Sequence, residues 1–242
     1  MKIFLAGTNI NEEILKNHKI DYFLESFYTV KKWQLPYIKK AKMFLLDSGA
    51  FTFMNNFKGV VNWDNYIEEY AKFINKYDIK YFFELDIDVI VGLEEVKRLR
   101  HKLEKLTNKK CIPVWHKSRG IKEWIEMTKE YDYVAIGGIV VREIKSKDYK
   151  NFTQLLEIAK QNNCKVHGLG FTNLNKLKDY KFYSVDSTSW LSGGRFGTLY
   201  FFNGSNLVQK KVKNKRIGDY MGSHHHNVDE WIKFQQYAEK WL

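Results

Sequence analysis

Cysteine is scarce in this sequence, because only Cys111 and Cys164 occur among 242 residues. Each lies in a short apolar run typical of a β-strand. We therefore expect two buried, reduced thiols, as in a cytoplasmic protein, and a disulfide between them is the less favoured alternative.

The chain also has no long hydrophobic run. Its longest apolar stretches fall far short of the roughly 20 residues that a helix needs to cross a bilayer. The first residues, MKIFLAGTNINEE, show neither the apolar core nor the small-residue cleavage site of a signal peptide. These absences predict a soluble cytoplasmic protein without a membrane partner.

Acidic residues are outnumbered. The 40 Lys and Arg residues exceed the 28 Asp and Glu residues and give a formal net charge of +12, which favours a polyanionic partner such as nucleic acid. Most of the basic residues are lysines spread along the whole chain, so a solvated surface would explain them as well.

The sequence does contain a regular alternation of strand-like and helix-like segments. Short apolar runs predict eight strands, over 2–7, 43–49, 81–87, 111–115, 133–138, 165–170, 182–186 and 197–202. Apolar residues at helical spacing predict amphipathic helices between them, for example over Trp63–Lys76 and Leu93–Leu106. A closing helix is predicted to begin at Asn227, which forms a capping box with Glu230, after a polar loop that contains His224–His226.

The predicted strands lack the polar alternation of a half-exposed sheet, as expected of parallel strands buried on both faces. Eight strand–helix units of about 30 residues each would account for the whole chain. We therefore expect an α/β protein with a compact (β/α)8 barrel of the TIM type, forming a single domain over residues 1–242. A doubly wound open sheet would show the same alternation and is the alternative.

Carboxylates stand at the ends of three predicted strands: Asp47, then Asp86 and Asp88, then Asp186. The loops at the carboxyl ends of barrel strands carry the chemistry, so convergent carboxylates there indicate a ligand, a metal or proton transfer. Capping of the following helix is the alternative for any one of them, and a magnesium site built from Asp47, Asp86 and Asp88 stays open. Glycines at the same level would let backbone amides approach a planar ligand such as a purine, although tight turns would explain each glycine singly.

Six ordered blocks resemble the tRNA-guanine transglycosylase superfamily, and within it the smaller phage and bacterial DpdA branch, which inserts 7-deazaguanines into DNA. The blocks are DSGAFT (47–52), YFFELDIDVI (81–90), IPVWHKSRG (112–120), YVAIGGIV (133–140), VHGLGFT (166–172) and SVDSTSWLSGGRFG (184–197). The ordered set is much more specific than any single block.

The resemblance implies a role for each matching residue. Asp186 would attack C1′ of the target nucleoside to form a covalent aspartyl-glycosyl intermediate, and Asp47 would handle protons as guanine leaves and the new base enters. The residues implied to bind the base are Ser48, Gly49, Phe51, Asp86, Asp88, His116, Gly137, Gly138, His167 and Gly168, with Phe51 stacking on it and His167 at the pocket floor. The basic residues expected at the nucleic-acid backbone are Lys117, Arg119, Arg195, Lys210, Lys211 and Lys213.

The implied activity is the exchange of guanine in DNA for a preQ0-like 7-deazaguanine, without a cofactor or a metal. The implied partners are DNA, the free base and, as an open point, an accessory protein, in the cytoplasm of the cell or of a phage host. The tRNA enzymes carry a zinc subdomain with three clustered cysteines and a histidine, which two isolated cysteines cannot build. The alternatives are a tRNA substrate, a non-catalytic nucleic-acid-binding barrel and a metal-dependent hydrolase.

Overall fold

The computed structural model describes residues 1–7, 12–49, 52, 61–171, 173–211 and 220–242, with the backbone but not the side chains of residues 194, 195 and 220. The described strands are β1 (Lys2–Ala6), β2 (Tyr22–Ser26), β3 (Met43–Asp47), β4 (Val114–Trp115), β5 (Tyr133–Ile136), β6 (Lys165–Gly168), β7 (Ser184–Ser187), β8 (Thr198–Phe202) and β9 (Leu207–Lys211). The described helices are α1 (Glu12–Asn17), α2 (Leu35–Ile38), α3 (Trp63–Lys76), α4 (Asp88–Val91), α5 (Leu93–Thr107), α6 (Gly120–Glu130), α7 (Asn151–Gln161), α8 (Ser192–Phe196) and α9 (Tyr220–Trp241).

Seven parallel strands form one curled sheet in the order β3-β2-β1-β7-β6-β5-β4. Beyond its two edge strands, isolated parallel bridges join Leu46 to Phe82 and Phe83 to Ile112. The predicted α/β class is confirmed. All these strands run in the same direction, so their carboxyl ends lie at the same end of the sheet.

Both faces of this sheet are buried. Along β1, Phe4 and Ala6 pack into an apolar cluster that also holds residues of β2, β3, β4 and β5, whereas Ile3 and Leu5 pack into the larger cluster that includes the helices. Successive residues of a strand point to opposite faces, so burial on both sides requires an uninterrupted apolar run. This explains why the strands show no polar alternation.

The long helices follow their predicted bounds. The helix predicted over Trp63–Lys76 has those bounds as α3, and its N-cap Asn62 accepts a hydrogen bond from the Asn65 backbone amide at 3.0 Å. The helix predicted over Leu93–Leu106 extends one residue further as α5. Both bury the apolar stripe that predicted them.

Three of the strand predictions need correction. Residues 81–87 form two isolated bridges, at Phe82 and Phe83, and no continuous strand. The strand β2 (Tyr22–Ser26) lies between β3 and β1 in the sheet and was not among the predicted strands. The segment predicted as the eighth barrel strand instead forms β8, which pairs only with β9 in a separate antiparallel hairpin among the described residues. Its burial alternates, as expected of a strand with one face against α9 and one toward solvent.

The start predicted for the closing helix is also wrong, because α9 begins at Tyr220 and contains His224–His226. The two residues of the predicted capping box anchor the hairpin instead. The Asn227 side chain accepts from the Tyr200 amide and donates to the carbonyls of Trp190 and Thr198, and Glu230 accepts from the Phe202 amide. A side chain that satisfies backbone groups of a neighbouring segment gives the same sequence pattern as a cap.

Both cysteines are buried free thiols, as predicted. Burial raises the pKa of the Cys164 thiol to about 12, which keeps it protonated. Among the described residues, no helix has the length and apolar character needed to cross a membrane.

Candidate active site

A cavity of about 660 Å³ opens at the carboxyl ends of the parallel strands. Four carboxylates line it, each from a different strand or strand end: Glu25, Asp47, Asp86 and Asp186. His116 is the one basic residue among its described lining residues. The cavity is therefore acidic in a chain whose overall charge is strongly positive.

Asp186 lies near the end of β7 and is held through one oxygen. The Gly170 amide donates to Oδ1 at 2.7 Å, and Nε2 of His167 lies 3.2 Å from the same atom. Both hydrogen bonds that the described residues make to this carboxylate are therefore to Oδ1, and Oδ2 accepts none from them. Asp186 is 8% exposed.

Asp47 ends β3 and carries the most perturbed carboxyl group of the cavity. Burial, the negative charge of Asp86 and that of Asp186 raise the pKa of Asp47 to about 7, although hydrogen bonds from Gly49 and Ser26 oppose the shift. The Gly49 amide donates to its Oδ2 at 2.9 Å. A carboxyl with a pKa near neutrality can both give and take a proton in the physiological range.

Asp86 belongs to a triad with His116, which is buried, and Glu143, which like Asp86 is partly exposed. His116 Nε2 lies 3.2 Å from Asp86 Oδ2, and Nδ1 lies 3.0 Å from Glu143 Oε2. Burial lowers the pKa of His116, but the two carboxylates outweigh this effect and raise it to about 9. The imidazole is therefore charged at neutral pH, and its contact with Asp86 Oδ2 orients that carboxyl group.

Two functional residues were missed by the sequence reasoning. Glu25, on the unpredicted strand β2, is 1% exposed and accepts from the Ser26 amide, the Thr29 hydroxyl and the Gln34 amide group. Glu143 lies beyond the Gly137–Gly138 block, and its Oε1 accepts from the Ser118 amide at 2.7 Å. Glu25 within an apolar run, YFLESF, was the available signal for the first, and we find no comparable signal for the second.

The predicted glycines lie beside these side chains. A β-carbon on Gly137 would come within 2.8 Å of Val114 and 2.9 Å of His116 Cε1, so a larger residue would displace the imidazole. Gly138 has φ of 79° and lies against Glu143, in a conformation that favours glycine. Gly49 adjoins Asp47, and Gly168 pairs with Val185 of β7. The cavity lining also contains the apolar residues Ile139, Val140, Val141 and Leu169.

Asp88 and Arg119 pair with each other and are not among the residues that line the cavity. Asp88 accepts from Arg119 at 3.2 Å through each of its carboxylate oxygens, and Arg119 also donates to Glu84 Oε1 at 2.8 Å. Arg119 is therefore buried and paired, which leaves it unable to reach a phosphate in this structure. Because Asp88 faces Arg119 and not Asp47 and Asp86, these three aspartates do not assemble the magnesium site that the sequence left open.

The other predicted residues occupy varied positions. Ser48 is buried, and its carbonyl accepts from the Tyr66 hydroxyl at 2.6 Å. His167 is fully buried beneath Asp186. Lys117 is exposed and pairs with Asp148 at 3.3 Å, and Lys210 and Lys211 are exposed on β9. Phe51, Lys213 and the side chain of Arg195 lie outside the described residues.

Within the described part of the chain, no group of three or more His, Cys, Asp or Glu side chains is arranged to hold a metal ion. Comparison with protein-family models finds none that matches. The search of curated proteins finds no match either. The geometry of the cavity is thus the basis on which its chemistry is inferred.

Proposed function

We propose that this chain is a base-exchanging glycosyltransferase that replaces guanine in DNA by a 7-deazaguanine base such as preQ0. One observation carries the proposal: Asp47, Asp86 and Asp186, from three strand ends far apart in sequence, line one cavity. Base exchange with retention requires a carboxylate nucleophile, a group that moves protons and a group that recognises the purine. The cavity offers one carboxylate for each task.

We also infer the finer fold. Residues 82–83 and 112 bridge β3 to the segment that leads into β4, which joins the two edges of the sheet. With these segments counted, the strands correspond to a closed (β/α)8 barrel, and the hairpin β8–β9 lies outside it. The cavity then occupies the end of the barrel at which such folds carry their active sites.

The first step is attack by Asp186. Its Oδ2 forms a bond to C1′ of the target nucleoside while the bond from C1′ to N9 of guanine breaks, and the electron pair of that bond leaves with the base. The Gly170 amide and His167 hold Oδ1 during attack. The product is a covalent aspartyl-glycosyl enzyme, which the incoming base resolves from the same face, so the configuration is retained after two inversions.

Asp47 donates one proton and then takes up another, as the exchange requires. Its neutral carboxyl group gives a proton to the departing guanine anion and becomes a carboxylate. That carboxylate then removes the N9 proton of the incoming 7-deazaguanine, whose nitrogen attacks C1′ and releases Asp186. A pKa of about 7 suits both halves of this cycle.

Asp86 recognises the base. An ionised carboxylate accepts hydrogen bonds from the ring N–H and the exocyclic amino group of guanine, and 7-deazaguanines present the same edge. The charged imidazole of His116 fixes Asp86 for this contact. The apolar side chains of Ile139, Val140 and Leu169 can pack against the flat face of the base.

The charge of the cavity supports a position of the nucleic-acid backbone outside it. A phosphate would meet four carboxylates inside the cavity, so only the extruded nucleoside enters, while the phosphates contact basic residues outside, including Lys117. This separation reconciles an acidic site with a basic chain.

The test is to incubate the protein with guanine-radiolabelled DNA and a free 7-deazaguanine and to measure released guanine. We expect release that depends on the added base and a modified nucleoside in the digested DNA. A parallel reaction with tRNA identifies the nucleic acid. Absence of release from both, together with salt-dependent DNA binding, would favour a non-catalytic barrel.

Asp186→Asn is the control variant for this assay. It keeps the size of the side chain and an acceptor for Gly170, but the amide is a poor nucleophile. We expect exchange to fall by about three orders of magnitude or more, with denatured native enzyme retaining a DNA adduct that the variant lacks. Full turnover by Asp186→Asn would refute the nucleophile assignment even if exchange occurs.

A further inference from the structure

A chain of side chains runs through the interior of the sheet to Asp186. The Tyr133 hydroxyl lies 2.5 Å from Ser184 Oγ, Ser184 Oγ lies 2.7 Å from His167 Nδ1, and His167 Nε2 lies 3.2 Å from Asp186 Oδ1. Ser184 and His167 are completely buried. Of the four residues, only Asp186 lines the cavity.

Strand register brings these residues together. Ser184 and Asp186 are two residues apart on β7 and therefore point to the same face of the sheet. His167 on β6 is the partner of Ser184 across the pair β6–β7, and Tyr133 begins the neighbouring strand β5. The contacts thus join three adjacent parallel strands at successive depths.

The direction of the hydrogen bonds follows from the chemistry of Asp186, at one end of the chain of contacts. An ionised Asp186 is only an acceptor, so His167 must donate through Nε2. In the neutral ring Nδ1 then accepts from the Ser184 hydroxyl, whose oxygen accepts from Tyr133. The aromatic rings of Phe4 and Phe83 lie 5.9 and 5.4 Å from the imidazole, centroid to centroid, so apolar side chains surround it on these sides.

We propose that Tyr133, Ser184 and His167 are positioning residues that hold Oδ1 of Asp186 and thereby present Oδ2 to the substrate. His167 acts on the reaction only through Asp186, and Ser184 and Tyr133 act by fixing the tautomer of His167. The effect on turnover rests on the proposed function, whereas the direction of the hydrogen bonds does not.

Nitrogen-15 NMR of histidine-labelled protein tests the direction. The His167 signals are identified by their loss in His167→Gln or, if that variant is unfolded, by their displacement in Ser184→Ala. We expect a proton on Nε2 and none on Nδ1 in the native protein, and a shift of the Nδ1 resonance in Tyr133→Phe. A proton on Nδ1 in the native protein would overturn the proposal.

Kinetics test the positioning role. Tyr133→Phe keeps the ring and removes only the hydroxyl, and we expect kcat to fall by about 10-fold or more, as for other residues that orient a reactive group, with KM nearly unchanged. Tyr183→Phe is the matched control, since its ring packs 5.4 Å from that of Tyr133 but its hydroxyl is outside the chain of contacts. It should retain native kcat.

The outcomes separate the two proposals. Native kcat in Tyr133→Phe, or an equal loss in Tyr183→Phe, would overturn the positioning role in an active enzyme. In a protein without base-exchange activity, the proposed function fails, and the tautomer of His167 alone decides whether the hydrogen-bonded chain is correct.

Discussion

Two groups of carboxylates in this molecule differ in the positive charges that surround them. Asp88 and Glu84 each contact a buried guanidinium, from Arg119 alone or from Arg119 and Arg100. Asp47, Asp86 and Asp186 face a cavity in which His116 is the one described basic side chain. The first group is neutralised by the fold, whereas the second leaves negative charge for a ligand to meet.

The pKa shifts follow this difference. Burial alone would raise the pKa of Asp88, but Arg119 outweighs burial and holds it below its ordinary value. Burial and two nearby carboxylates raise the pKa of Asp47 to about 7. The pKa shifts of Asp47 and Asp88 thus have opposite directions, because burial dominates at Asp47 whereas the guanidinium of Arg119 outweighs burial at Asp88. The cavity carboxylates together have one described basic side chain, His116, whereas Asp88 and Glu84 share two guanidinium groups.

The largest effect is expected when the positive charge that neutralises the first group, the guanidinium of Arg119, is removed. Arg119→Met leaves Asp88 without its guanidinium partner and Glu84 with Arg100 alone, and we expect the free energy of unfolding to fall by about 3–5 kcal/mol. Urea denaturation followed by circular dichroism measures it. The matched control is Lys117→Met, two residues away, whose ammonium is exposed and whose loss should matter little. Equal effects of the two substitutions would show that the guanidinium network contributes nothing special.

A second prediction is that removing the ionisable group of Asp47 and that of Asp88 has opposite effects on stability at high pH. The folded protein binds the Asp47 proton more tightly than the unfolded chain does, so the stability from this group is complete below a pH near 4 and is lost as the pH rises to about 7. Asp47→Asn cannot ionise, and we expect it to exceed the native protein in free energy of unfolding by about 2–4 kcal/mol at pH 8. The advantage should shrink at pH 5.

Asp88→Asn is the counterpart of that variant. Its pKa is lowered in the folded state, so the ionised group contributes stability above its unfolded pKa and loses it as the pH falls. We expect this substitution to destabilise the protein by about 1–3 kcal/mol at pH 8. Urea denaturation of both variants at pH 5 and pH 8 measures these changes in the free energy of unfolding. If Asp47→Asn and Asp88→Asn both stabilised or both destabilised the protein at pH 8, the distinction between the two groups of carboxylates would be contradicted.

The smallest effect should come from the same chemistry at the surface. Arg98 donates to both oxygens of Asp64, at 3.1 and 2.8 Å, with geometry as good as that of Arg119 with Asp88. Both side chains are about half exposed, and solvent screens such pairs. Arg98→Met should change the unfolding midpoint far less than Arg119→Met does, and a comparable loss would mean that burial is not what makes the inner network important.

Much of the fold could be predicted because burial on both faces leaves a clear trace in a sequence. Apolar runs marked six of the seven sheet strands, and α3 and α5 followed from helical periodicity. The strand β2 escaped because Glu25 interrupts its apolar run, and that carboxylate is tolerated inside only through three donors. The segment 197–202 is equally apolar in sequence, but its partner is a neighbouring hairpin strand, which composition does not reveal.

The candidate site was predictable to the level of strand ends and no further. Convergence of Asp47, Asp86 and Asp186 follows from parallel strands alone. The different positions of Asp86, which lines the cavity, and Asp88, which pairs with Arg119, could not be predicted in the same way. They depend on which of the two side chains contacts Arg119. Arg119 could be counted as basic from the sequence, but its burial could not. Glu143 is assigned to the candidate site only because the structure shows its contact with His116.

The pairing of β1 with β7 has a consequence for how the chain folds. Lys2 pairs with Ser184 and Leu5 with Ser187, so two strands that are far apart in the sequence must meet before the sheet is complete. Contacts this distant in sequence require a large loss of chain entropy before they gain stability, and folding rates fall accordingly. Until they meet, both strands have open edges that can pair with other molecules. Refolding yield should therefore decline as the protein concentration rises.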